Sequence, residues 1–163
     1  MNAPLAGSVV AVILSLLPFA SHAQENSERA ELLGQATADV AVCMSLAYKL
    51  GLALSAYALG GSREAFEQAL RVSEERGRLS FDAATKDLAE FDTPRQESEL
   101  AQKQERFFGL LAAAREWNDQ SENAQTLIEQ SRQLGEQLET LCTQISLLDD
   151  EELTGMQGTL AKR

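Results

Sequence analysis

The least charged stretch of the chain runs from Ala36 to Leu59, where apolar and small residues lie on every side of a helical projection and only Asp39 and Lys49 are charged. A surface helix shows one apolar stripe, whereas a helix that is apolar all round needs neighbouring helices or lipid around it. Lipid is the less favourable surrounding, because a charge near the centre of a bilayer costs roughly 2.5 to 3.5 kcal/mol. The pattern therefore predicts the central helix of a small helical bundle.

Three further segments are amphipathic with helical spacing, and the last of them has apolar residues in steps of seven, four, three, four and three. That spacing is a heptad seam, which is typical of coiled coils and four-helix bundles. The residues expected to face the core are Phe66, Leu70, Phe81, Ala84, Leu88 and Phe91, then Leu100, Phe107, Phe108, Leu111, Ala114 and Trp117, and finally Leu127, Leu134, Leu138, Leu141, Ile145 and Leu148.

Local signals mark where these helices begin. Ser62 can cap the second helix, and Thr93 with Pro94 and Gln96 has the pattern of a capping box that starts the third. The connections between helices are short, which favours antiparallel neighbours. The fold class predicted is all-α, an antiparallel up-down-up-down four-helix bundle with helices at about 27–59, 63–91, 94–118 and 121–148.

The N-terminal segment differs in kind from the rest of the chain. Ser8 to Ala20 is an uncharged apolar run, and the following Ser21, His22 and Ala23 form the small-x-small pattern of a signal peptidase site. We expect cleavage after residue 23 and a periplasmic or secreted location. No Lys or Arg precedes the apolar run, and an uncleaved membrane anchor is the alternative, although a membrane span needs about 20 residues.

Three segments follow from this division: a signal peptide at 1–23, the bundle at 24–148, and an acidic, loosely structured C-terminal tail at 149–163. After removal of the signal, the chain is long enough for one domain with its own core and too short for two.

The charge of the chain is strongly acidic. Twenty-five Asp and Glu against fourteen Lys and Arg give a net charge of −11. Nucleic acids and anionic membranes are bound by basic surfaces, so this balance argues against both as partners. A basic partner protein would fit, and solubility alone is the simpler interpretation.

Two cysteines, Cys43 and Cys142, lie far apart in the sequence. In an exported protein an even number of cysteines favours a disulfide, and a loop of this length would stabilise the fold by about 4 to 5 kcal/mol. In the predicted bundle the first and fourth helices are neighbours, and at 1.5 Å per residue the two cysteines differ in height by roughly 7 Å. We therefore predict a disulfide between Cys43 and Cys142.

The chemistry that the chain lacks narrows the classes of function. The only histidine, His22, lies in the segment expected to be removed. Its removal excludes a histidine general base, histidine haem ligation and the di-iron sites of bundle enzymes. Two isolated cysteines do not make a zinc site, and neither a P-loop nor a dinucleotide-binding motif is present. We expect no catalytic residues, no metal and no cofactor.

The two charges on the central helix are candidate ligand-binding residues. Asp39 and Lys49 are about 15 Å apart along a helix, too far to pair with each other. Lys49 beside Tyr48 would be able to hold an anionic group in a pocket between helices, while the simpler interpretation is that both charges reach solvent. Trp117, the only tryptophan, either closes the core or roofs a cavity.

Small residues recur every four positions on the central helix, at Ala47, Gly51 and Ser55. A line of small side chains lets another helix backbone come close. The partner is either another helix of the same bundle or the same line in a second copy of the chain.

Three hypotheses of function follow. The first is an exported, non-enzymatic protein that binds another, basic protein through an acidic surface, as an inhibitor or immunity protein would. The second is a sensor-like bundle with a small-ligand pocket near Tyr48 and Lys49. The third is a structural homodimer joined along the small-residue line.

Overall fold

The computed structural model describes the backbone of residues 17–91, 93–117 and 124–160. It describes the side chains of Gln24 and of residues 27–91, 93–117 and 124–148. The chain divides into two compact units, residues 1–31 and residues 32–163. In the first unit the described backbone is helical, and the Gln24 amide donates a hydrogen bond to Glu28 Oε1 at 3.0 Å.

Four α-helices make up most of the described chain: α1 (Leu17–Ala58), α2 (Arg63–Ala89), α3 (Pro94–Glu116) and α4 (Ala124–Leu160). Within residues 32–160 they form an all-α four-helix bundle, and the predicted fold class is confirmed.

Each helix contacts the next one along the chain, and α4 contacts α1. The contacts that establish this order are Tyr57 on Phe66 (ring centroids 4.7 Å apart), Phe81 on Phe107 (5.6 Å), Arg106 Nη1 to Gln137 Oε1 (3.1 Å) and Cys142 Sγ to Thr37 O (3.5 Å). Within each pair of neighbours, the contact positions rise along one helix as they fall along the other. For α1 and α2 the pairs are Tyr57 with Phe66 and Asp39 with Asp87, and for α2 and α3 they are Glu74 with Arg115 and Phe81 with Phe107. For α3 and α4 they are Arg106 with Gln137 and Arg95 near Gln144, and for α4 and α1 they are Ser131 with Gly51 and Cys142 with Thr37. All neighbours are therefore antiparallel.

Both ends of the bundle sequence depart from the predicted bounds. Helix α1 begins at Leu17 rather than near residue 27, and α4 continues to Leu160 rather than ending at 148 in a loose tail. Good helix formers occur in both extensions, with Ala, Gln and Glu before residue 27 and Glu, Leu, Met and Gln after residue 148, and no proline follows Pro18 to interrupt them. Of the predicted signal segment, residues 1–16 lie outside the described residues; so do 161–163 of the predicted tail.

One of the two predicted helix caps is confirmed. The Ala65 backbone N–H donates to Ser62 Oγ at 3.4 Å, as an N-cap requires. The capping box predicted at Thr93 is absent, because the Thr93 hydroxyl donates to Leu88 O at 3.3 Å and its N–H donates to Phe91 O at 2.8 Å. Thr93 is still the N-cap residue of α3 by position, but its side chain ties the start of α3 to the end of α2.

The core is formed by the faces that the periodicity predicted. Every residue of the predicted line in α2 is buried, and in α4 the seam is buried from Leu127 to Ile145 with Leu148 half-buried. In α3, Phe108 is half-buried, and Leu110 is a buried residue that the pattern did not mark. The largest fully buried side chains are Phe81 of α2 and Phe107 of α3, whose rings contact each other.

Gly77 of α2 lies against the ring of Phe107 of α3. A Cβ added to Gly77 would lie 2.6 Å from Cε1 of Phe107. The Phe107 ring is fully buried and packs against Phe81 and Phe108, with centroid distances of 5.6 and 5.4 Å, so it has little room to move. The glycine is required here because any side chain would push the two helices apart.

We predict that Gly77→Ala destabilises the bundle although alanine is the better helix former. Overpacking a rigid core costs typically about 1 to 3 kcal/mol, against a gain of ~1 kcal/mol in helix propensity. Gly109→Ala in α3 is the matched control, because no atom lies within 4 Å of its added Cβ. This variant should gain stability. Urea unfolding of the two variants measures the difference, and a Gly77→Ala protein as stable as Gly109→Ala would contradict the close contact.

Candidate binding surfaces

Asp39 lies on the side of α1 that faces α2. Its side chain is half-buried, and burial raises the pKa of its carboxyl, with the nearby Asp87 carboxylate of α2 as the second cause. Asp39 therefore meets another acid rather than a cation. Among the described residues, no group of three or more His, Cys, Asp or Glu side chains is placed to hold a metal ion.

Tyr48 lies on the side of α1 that faces α4. Its ring packs on Gly135, where an added Cβ would lie 2.7 Å from the ring. Burial raises the pKa of Tyr48, followed by the negative charges of Glu139 and then Glu136, while Arg132 lowers it. These surroundings repel an anion. Lys49 is exposed on the outward face of α1, so the predicted candidates Asp39, Tyr48 and Lys49 point in three directions and do not form one pocket.

The small-residue line is occupied within the chain. Ala47 is fully buried, Gly51 is buried with Ser131 of α4 only 3.3 Å from where its Cβ would lie, and the Ser55 hydroxyl donates to Gly51 O at 2.9 Å. The line therefore lets α4 approach α1 closely. A second copy of the chain would have to displace α4 to use it.

The predicted disulfide between Cys43 and Cys142 is absent, and both thiols are free. The Cys142 thiol donates to Thr37 O at 3.5 Å, which places Cys142 level with a residue six positions before Cys43. Six residues of helix rise about 9 Å, whereas a disulfide needs Cα atoms roughly 4.4 to 6.8 Å apart. The prediction that α1 and α4 are neighbours is correct, and the register between them keeps the cysteines apart.

The outward face of α1 carries a second heptad seam. It has alternating steps of four and three, and we call it the outer seam: Ala38, Val42, Ser45, Lys49, Leu52, Ala56 and Leu59. Val42 is 41% exposed, Leu52 is 69% exposed and Leu59 is 89% exposed. Lys49 is its one charged residue.

This seam explains why the sequence of α1 is apolar all round. One face packs into the bundle and the opposite face is bare. By length and composition, residues Ser27–Ala58 of α1 would suffice to cross a membrane, a criterion that buried core helices and signal sequences also meet. The regular heptad spacing was present in the sequence, and only the packing of the other helices shows that it faces outward.

A cleft of about 270 Å³ lies at the end of the bundle where α1 ends, α2 begins and α3 ends. We call it the end cleft. Three aromatic rings line it: Tyr57 stacks on Phe66 with centroids 4.7 Å apart, and Trp117 meets Tyr57 edge-on at 5.1 Å. The sequence analysis indicated a cavity here only through Trp117, for which roofing a cavity was one of two possible roles.

Three arginines line the cleft together with these rings: Arg63 and Arg71 of α2 and Arg115 of α3. Arg63 is ion-paired with Glu67 at 2.9 Å, and Arg115 is ion-paired with Glu74. In the part of the chain that the structure describes, Arg71 has no carboxylate partner and donates only to the Gln68 amide oxygen, at 2.7 Å.

The buried thiol of Cys43 gives the fold a specific dependence on pH. Burial, followed by the charge of Asp39, raises the pKa of Cys43 from 9.0 to about 12. A raised pKa favours the neutral thiol in the folded state, so this stabilisation is complete below pH 9 and is lost as the pH rises toward 12. By about pH 10.5 the loss amounts to ~2 kcal/mol.

We predict that Cys43→Val removes this component of the alkaline destabilisation, while Cys142→Val retains it. Urea unfolding under reducing conditions at neutral and alkaline pH measures the free energy of unfolding of both variants. Burial also raises the pKa of the half-buried Cys142 thiol, so the expected result is a smaller alkaline loss of stability in Cys43→Val than in Cys142→Val. An equal loss in the two variants would contradict the stronger effect of burial at Cys43.

Comparison with protein-family models, with curated proteins and with solved structures finds no match for this chain.

Proposed function

We propose that this chain is an exported, non-enzymatic protein that binds another protein, and that the outer seam of α1 is its principal contact surface. The observation that supports this most is the exposure of large apolar side chains, chiefly Leu52 and Leu59, at heptad positions on the outward face. Contiguous exposed apolar surface marks interaction sites, because leaving it in water is unfavourable.

The spacing of the seam favours a helical partner. Small residues interrupt the larger ones along it: Ser45 lies between Val42 and Lys49, and Ala56 lies between Leu52 and Leu59. Apolar side chains in steps of three and four insert between the side chains of a facing helix, as they do in coiled coils and helix-in-groove complexes. We infer that the partner presents an amphipathic helix to α1.

Carboxylates on both sides of the seam favour a basic partner. On the side of α2 lie Asp39 and Asp87, whose charges act on each other. On the side of α4 lie Glu136 and Glu139, whose charges reach Tyr48, the neighbour of Lys49 in the sequence. A helix with an apolar stripe flanked by Lys and Arg would match this arrangement, and charge complementarity would speed association.

A second copy of the chain fits this surface less well. Each copy has a net charge of −11, and the flanking carboxylates would face like charges in a homodimer. The two occupants respond to salt in opposite ways. Added salt weakens the binding of a basic partner, whereas it screens the repulsion between two acidic copies and strengthens self-association.

The export and non-enzymatic parts of the proposal are supported by the sequence. The apolar segment followed by Ser21, His22 and Ala23 supports processing before Gln24. Processing at that point removes the only histidine of the chain. A small-ligand pocket beside Tyr48 is not part of this proposal, since two carboxylates, of Glu139 and Glu136, act on that tyrosine against one arginine, Arg132.

We predict that Leu52→Glu weakens the binding of a helical partner by at least about tenfold, because burying a leucine is worth roughly 1.5 to 3 kcal/mol. Leu79→Glu in α2 is the matched control, since Leu79 is 67% exposed and Leu52 is 69% exposed. The probe is a synthetic amphipathic peptide with leucine at the a and d positions of a heptad and lysine at the flanking positions. Fluorescence anisotropy measures its affinity at low and high salt.

The added glutamates make this comparison sharp. If the peptide bound only by charge, Leu52→Glu and Leu79→Glu would both bind it slightly more tightly than the wild type. Loss of binding in Leu52→Glu alone, with weaker wild-type binding at high salt, supports the proposal. Equal affinities of the two variants would refute it. So would a wild-type dimer, measured by sedimentation, that strengthens with salt and is broken by Leu52→Glu, because the seam would then hold a second copy.

A further inference from the structure

We propose that the end cleft is a binding site for a small organic anion with a flat apolar ring, of the aromatic carboxylate class. It lies at the junction of α1, α2 and α3 and involves none of the residues of the outer seam. The inference therefore goes beyond the proposed function and does not rest on it.

The size of the cleft limits the ligand. Pockets for drug-sized molecules span about 300 to 1,000 Å³, and the end cleft has about 270 Å³. A single ring with one acidic substituent fits such a volume. A nucleotide or a peptide would not be enclosed by it.

The walls of the cleft suit an aromatic body. Tyr57, Phe66 and Trp117 pack as one cluster, with Phe66 and Trp117 edge-on to each other at 6.1 Å between centroids. Phe66 and Trp117 are buried and Tyr57 is half-buried, so Tyr57 offers the largest aromatic surface to a ligand. Aromatic pairs arranged edge-to-face or offset gain about 0.5 to 1.5 kcal/mol beyond the area that they bury.

The charge of the cleft is opposite to that of the whole chain. Arg63, Arg71 and Arg115 line it together with one carboxylate, that of Glu67, while the chain carries −11 overall. An anion that approaches this acidic protein finds a local excess of positive charge here. Guanidinium groups bind carboxylates through paired hydrogen bonds, which also fix the orientation of the ligand.

Arg71 is the guanidinium with donors to spare. Glu67 accepts a hydrogen bond from Arg63, and Glu74 accepts one from Arg115. Among the described residues, Arg71 donates instead to the uncharged amide oxygen of Gln68. We expect the ligand carboxylate to pair with Arg71 while its ring lies against Tyr57. Arg63 and Arg115 then add charge without giving up their own ion pairs.

The only tryptophan of the chain provides a direct readout. Titration with benzoate should give a saturable change in Trp117 fluorescence and a shift of its single indole N–H resonance. Benzamide, which has the ring without the charge, should bind at least about tenfold more weakly, since hydrogen bonds to charged groups are the stronger ones. Acetate, which has the charge without the ring, should also bind more weakly.

Variants test the role of each charge. Arg71→Gln should weaken benzoate binding by about tenfold, and Arg76→Gln should leave it unchanged, because Arg76 is an exposed arginine of α2 that does not line the cleft. Glu67→Gln should tighten binding severalfold, since it removes the one carboxylate of the cleft and frees Arg63. Tightening of this kind would not follow from structural damage.

Three results would overturn the proposal: a fluorescence change that rises linearly with benzoate and never saturates, equal affinity for benzoate and benzamide, or equal affinity of Arg71→Gln and Arg76→Gln. Leu52→Glu should bind benzoate as the wild type does. Failure of the outer seam to bind a partner and failure of the end cleft to bind an anion are therefore separate outcomes.

Discussion

The close contact between α1 and α4 is the constraint on which the rest of the bundle depends. Small residues make it possible on both helices: Gly51 meets Ser131, and Gly135 receives the ring of Tyr48. Protein interiors are packed as tightly as organic crystals, so an added methyl group at such a point is felt across the interface. This contact fixes which residues of α1 are buried against α4. It therefore also fixes which residues of α1 remain exposed to solvent.

A helix in a four-helix bundle has two neighbours and one outward face. The sequence of α1 is apolar enough for burial on every side, yet the bundle buries only part of its surface. The exposed remainder is the outer seam, with Leu52 and Leu59 well exposed at heptad positions. An apolar helix edge of this kind is unfavourable for a chain that stays alone in water, which is the physical reason for proposing a partner.

Charge is distributed so that the two proposed surfaces attract different ligands. The outer seam is nearly uncharged and has carboxylates beside it, including Glu139 and Asp87. The end cleft has three arginines, of which Arg71 lacks a carboxylate partner among the described residues. The net charge of −11 is a property of the whole chain and does not describe the local charge of either surface. An acidic composition therefore coexists with a local site for anions.

Periodicity alone was sufficient to predict the helices and the faces that build the core, such as the line through Leu134, Leu138 and Leu141. These features depend on local spacing, and helix formation and burial follow that spacing closely. Compositional signals were less reliable at the chain ends, where helix propensity extended α1 and α4 beyond the predicted bounds.

The sequence by itself determined that this chain is a four-helix bundle with an unusually apolar first helix, a strong acidic excess and no histidine after His22. Only the tertiary structure decided that the cysteines are apart, that Glu136 and Glu139 lie near Tyr48, that Leu52 faces water, and that Arg71 and Tyr57 line the same cleft. The reason is that each of these depends on the register between helices. Register is set by how side chains interlock across an interface, and one helix's periodicity carries no information about it.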